Sequence, residues 1–189
     1  LGGGVLPFFV AGVVFKVLPR WLQVPAVSAR ALSVPLAALW VGMALASAGC
    51  LVSTPLAATG LALAAAGQAL LAGRVVVLML DSRVVDRDHA RLLAVALATA
   101  SLSLWVASVA VALGQPQVVL AATQVSLWGG WALALVVLAH RLLPQAIPAT
   151  MSSQTAWHSR AVLAGLSLLV VVQAPFAGAE ALQVGMHAG

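Results

Sequence analysis

The chain has 189 residues, of which 63% are hydrophobic and 7% charged, and nine Lys and Arg against four Asp and Glu give a formal charge of +5. Soluble domains carry about 25% charged residues, so a water-facing globule is excluded. The basic residues are spread thinly and flank apolar runs, which fits the positive-inside rule rather than a nucleic-acid surface. The one cysteine, Cys50, lies inside an apolar run and leaves no disulfide framework and no CxxC-type metal site.

A membrane-spanning helix needs about 20 apolar residues, so this length predicts one all-α, polytopic membrane bundle of about six transmembrane helices in a single domain. The first apolar run, 2–18, is closed by Pro19, Arg20 and Trp21, a helix stop followed by interfacial anchors. Five more runs follow at 31–52, 55–80, 92–113, 118–139 and 161–182. No charged stretch with a small-residue cleavage site opens the chain, so Leu1 reads as a start inside something longer rather than as a signal peptide.

The connections fall into two kinds. Ser53 to Pro55 and Gly114 to Gln117 carry no charge, whereas the other three hold Arg20 and Arg30, then Arg83, Arg87 and Arg91 against Asp81, Asp86 and Asp88, then Arg141 and Arg160. This alternation supports six spans and places the charged loops in the cytoplasm, with Leu1 on the far side. A far-side start in turn implies an upstream helix.

Small residues recur at helical spacing, as in Gly60, Ala64 and Gln68 with Gly67 beside them, and Ala121, Gly129 and Gly130. They suit close packing in lipid, where hydrophobicity does not drive helices together. An echo between Lys16–Arg20 and Arg141–Gln145, offset by 125 residues, reads either as a parallel repeat or as two independent helix stops at an interface.

The stretch FVAGVVFKVLPRWLQVPAVSARALSVPLAALWVGMAL from Phe9 resembles the NnrS family of membrane proteins, with correspondences at Gly12, Pro19, Trp21, Pro25 and Trp40. The later segment AHRLLPQAIP resembles another stretch of that family at Arg141 and Pro144, without its glycines and aromatics. The resemblance covers most of the chain and corresponds to roughly the N-terminal half of such a protein. It implies a bacterial-type inner membrane, haem and copper as cofactors, and a link to nitric oxide or respiratory electron-transfer biology. The family's His-x-His-Glu motif would fall just before Leu1, and no residue of this chain replaces it.

His140 ends the fifth run and reads either as a ligand of haem iron or copper or as an interfacial anchor beside Arg141. Arg74 lies roughly 9 Å inside the third run at the helical rise, where it either meets a haem propionate or snorkels to the interface. Arg141 completes the cofactor-side set. Lys16, Arg20 and Trp21 read as a lipid-interface group, with the two cations also suited to an anionic headgroup.

His89 and His158 read as solvated loop histidines, and no two histidines have the i, i+3 or i, i+4 spacing of a helix-face ligand pair. Gln68, Gln124 and Gln173 sit near mid-span and are expected to face other helices. Trp128 and Trp131 are expected to pack against a neighbour. Glu180 is isolated, and no Ser-His-Asp set, phosphate loop or nucleic-acid motif is present, so no catalytic residue is assigned. Two other functions stay open: a noncatalytic subunit docked to further membrane subunits or helices, and a small-solute transporter.

Overall fold

The computed structural model describes residues 2–84, 87–146 and 160–187. Every regular element among them is helical: α1 (Gly2–Leu22), α2 (Ala29–Val52), α3 (Thr54–Asp81), α4 (Asp88–Ala112), α5 (Pro116–Val125), a π-helical segment (Ser126–Ala132), α6 (Leu133–Ala146) and α7 (Arg160–His187). Among the described residues, five helical stretches are long and apolar enough to cross a membrane: α2, α3, α4, the continuous Pro116–Leu142 and Ala161–Glu180. The all-α bundle of the sequence reading is therefore the observed architecture.

The first helix runs past Pro19, where the sequence pattern stops it. Proline in the last turn removes only one intrahelical bond, and the helix ends three residues later at Leu22, followed by Gln23, whose φ of 53° is left-handed. The Gln23 amide then donates to the Arg20 carbonyl at 3.4 Å and the Val24 amide to the Pro19 carbonyl at 3.0 Å. These are the paired bonds of a Schellman cap. The turn after α4 closes in the same way at Gly114 (φ 65°), with Gln115 donating to the Ala110 carbonyl at 2.8 Å.

Helices α2 and α3 share the single cap residue Ser53, so they leave the turn in close contact. Their facing stripes are Pro35, Leu39, Gly42, Ala46 and Gly49 against Ala57, Gly60, Ala64, Gly67 and Leu71. Both advance by alternating threes and fours, the period of an antiparallel coiled-coil seam. A Cβ on Gly49 would overlap the Ala57 backbone, and one on Gly67 would lie 2.6 Å from the Leu39 amide nitrogen. Backbone-to-backbone contact of this kind is how dispersion drives association in lipid.

Helix α4 adds to α3 through two serines seven residues apart. Ser101 donates to the Ala65 carbonyl at 3.0 Å and Ser108 to the Ala58 carbonyl at 2.8 Å. Its opposite face meets the π-helical segment, where a Cβ on Gly130 would stand 2.8 Å from the Ala100 Cβ. Helix α7 then packs on α5, the π-helical segment and α6.

Helix α1 buries Val10, Val14, Leu18 and Leu22 in the core, and its end is tied to the end of α3. There the Ser82 hydroxyl donates to the Leu22 carbonyl at 2.9 Å and accepts from the Val84 amide at 3.1 Å.

Candidate functional site

Most of the charged side chains lie toward the end carrying the charged loops, and two histidines join them there. Helix α4 begins at Asp88, four residues before the apolar run, so His89 sits in its first turn and not in a loop. A carboxylate in the first turn of a helix is favoured by the N-terminal dipole, and it draws this turn out of the connection. His140, near the end of the fifth span, lies at the same level because α4 and α6 run antiparallel.

The two imidazoles meet. Nε2 of His89 is 3.1 Å from Nδ1 of His140, one nitrogen donating and the other accepting. The ring centroids are 5.3 Å apart with the planes inclined by 34°, only about two ring radii more than the nitrogens, so the rings face each other end-on. His140 is 2% exposed and His89 half-buried. An end-on pair of this kind can share a proton, or exchange it for a metal ion bound by both lone pairs.

Arg141 points the other way, with its guanidinium carbon 5.6 Å from the centre of the Trp21 ring. This cation–π contact joins the end of the fifth span to the end of α1, and it commits Arg141 to Trp21. Lys16 and Arg20 are exposed on α1, and Arg74 is exposed on α3, the placement expected of snorkelling side chains. The interface group of the sequence reading is thus linked to His140 through its neighbour Arg141, while Arg74 stands on an outward face. His158, Trp157 and Asp86 lie outside the described residues.

The three glutamines separate. Gln68 is 0% exposed on α3, with no hydrogen-bond partner for either amide atom. Gln124 is half-buried, and Gln173 is exposed on α7. Trp131 is buried and Trp128 half-buried.

Trp131 also lines a cavity of about 370 Å³ bounded by Pro7, Met43, Ser103 and Ser126. This cavity follows the π-helical segment, a geometry often found where a helix wall is reshaped. Its walls are apolar and hold no titratable group. Among the described residues, no three His, Cys, Asp or Glu side chains converge as a metal site.

Fold and site together define an all-α bundle of membrane-spanning helices with a histidine pair, one member buried and one half-buried, at its charged end. No family model, curated protein or solved structure matches this chain.

Proposed function

We propose that the chain is a NnrS-like membrane protein of a bacterial-type inner membrane, with its charged loops cytoplasmic. Its working centre is the His89–His140 pair, which holds a copper ion and takes part in nitric oxide or respiratory electron-transfer biology. One observation carries this reading: two histidines 51 residues apart in sequence are brought nitrogen to nitrogen at 3.1 Å, one of them buried.

Copper suits the donor set because imidazole is a good ligand for it. His89 and His140 would be the two imidazoles that hold the ion. When bound, copper would supply one-electron chemistry. The protein's part is to bring the two imidazoles together and to bury His140. Haem fits less well, because the 370 Å³ cavity and the groove between α4 and α7 are lined without a histidine.

Metal analysis and a visible spectrum of the purified full chain test this proposal. About one copper per chain, lost in both His89→Ala and His140→Ala, is the expected result. Copper content that neither substitution changes would overturn the site.

A second reading, a subunit docked to further membrane helices, is favoured by Gln173. Its amide is exposed on α7 within the span Ala161–Glu180, and a carboxamide facing hydrocarbon is costly until another helix pairs with it.

A further inference from the structure

Helices α4 and α7 both start at the charged end and run in the same direction, but they pack on other elements more than on each other. Between them lies an open groove of about 520 Å³. Its walls are Leu92 of α4 and Leu163, Leu168 and Val171 of α7; from Leu163 to Val171 it descends about 12 Å at the helical rise. Its mouth is formed by Asp88 and Arg91.

Two polar features distinguish this groove from an ordinary lipid-facing crevice. Arg91 reaches Asp88 at 3.5 Å with its side chain 66% exposed. An exposed i, i+3 pair of this kind is weak and leaves the guanidinium open to a stronger anion. Below it, Ser167 lines the groove at 6% exposure, and its hydroxyl has no hydrogen-bond partner.

Other helical hydroxyls in the bundle have a carbonyl acceptor: Ser47, Thr59, Ser103 and Thr123 return to the carbonyl four residues back, and Ser101 and Ser108 donate across to α3. Ser167 departs from that habit. A buried hydroxyl without a partner is costly, and here it stands beside an apolar channel.

We propose that this groove is a binding site for one anionic phospholipid of the charged-loop leaflet. The phosphate sits on Arg91, the Ser167 hydroxyl donates to an ester oxygen of the lipid, and an acyl chain lies along Leu163, Leu168 and Val171. The charge argument rests on the exposed Arg91 guanidinium at the mouth, which a phosphate would draw from its neighbour Asp88; Arg87 is held by the Val84 and Ser82 carbonyls, and Asp81 and Asp86 offset the remaining arginine of that loop. Neither histidine lines the groove.

The test is native mass spectrometry of the full chain released from nanodiscs containing equal amounts of phosphatidylglycerol and phosphatidylcholine. Wild type retains phosphatidylglycerol preferentially. Arg91→Gln lowers that retention roughly fivefold, the worth of one basic residue at an anionic surface. Ala164→Trp, which fills the groove, abolishes it. Arg30→Gln, in the first turn of α2, leaves it unchanged, and circular dichroism confirms that each variant keeps its helices. Equal retention of the two lipids, or retention that survives both Arg91→Gln and Ala164→Trp, would overturn the proposal.

Discussion

Gln68 shows how costly single polar atoms are inside this bundle. Its carboxamide is fully buried with neither atom hydrogen-bonded, and such a group carries a desolvation penalty of about 1–3 kcal/mol. Gln68→Met keeps the shape and removes the penalty, so thermal unfolding in detergent should show unchanged or raised stability, by up to about 2 kcal/mol. A large loss would show that the amide has a partner. Ser108 is the converse case: its hydroxyl bridges α4 to the Ala58 carbonyl. Ser108→Ala should cost about 0.6 kcal/mol, the typical value of an interhelical bond in a membrane bundle.

The histidine pair was half legible in the sequence. His140 stands out at a span end, but His89 reads as part of a charged loop until α4 is seen to begin at Asp88. The missed signal was topological. Consecutive antiparallel spans return to the same membrane surface, so a histidine at the start of one and a histidine at the end of the next share a level. Hydropathy sets span boundaries by the first apolar residue and discards the polar first turn, where His89 lies. Arg141 reads in the sequence as part of a cofactor-side set, whereas the structure lays it over Trp21, a contact that depends on the approach of α1 and that no local pattern encodes.

At the level of elements, the α2–α3 hairpin makes the strongest demand on side-chain size. Gly49 and Gly60 each face backbone so closely that a Cβ has no room, whereas a Cβ on Gly73 meets nothing within 4 Å. Gly60→Leu should therefore separate the two helices and destabilise the protein by about 3 kcal/mol or more. Gly73→Ala should be neutral or stabilise by up to about 1 kcal/mol through helix propensity. Denaturation of both variants in the same detergent checks the contrast, and equal effects would remove the hairpin as the organising contact. Part of this seam, Gly60 and Ala64, is visible as small-residue spacing, but the spacing continues to Gln68, whereas the residue that meets Leu39 is its neighbour Gly67. The π-helical segment is not visible, because seven residues of SLWGGWA between two α-helices keep the same apolar composition as their flanks, and hydropathy is blind to the change of pitch.

At the scale of the whole molecule, the alternation of charged and uncharged turns along the sequence sorts them to opposite ends of the helices. It puts Cys50, near the α2–α3 turn, on the side opposite Arg83. In Cys50→Ser, a cysteine placed by Arg83→Cys should be labelled by an impermeant maleimide only from the cytoplasmic side, and native Cys50 only from the far side. Labelling of both from one side would contradict the topology. The outward faces of α2 and α7 expose Trp40, Leu51, Leu168 and Phe176, apolar surface that a bilayer or neighbouring helices must cover.

The most direct test of the central claim compares copper content and copper electron paramagnetic resonance in wild type, His89→Ala and His140→Ala, with purified full chains matched for helicity. The account predicts about one copper with nitrogen hyperfine structure in wild type and loss of that signal in both variants. A metal-free wild type, or a copper signal that persists in both variants, would contradict it.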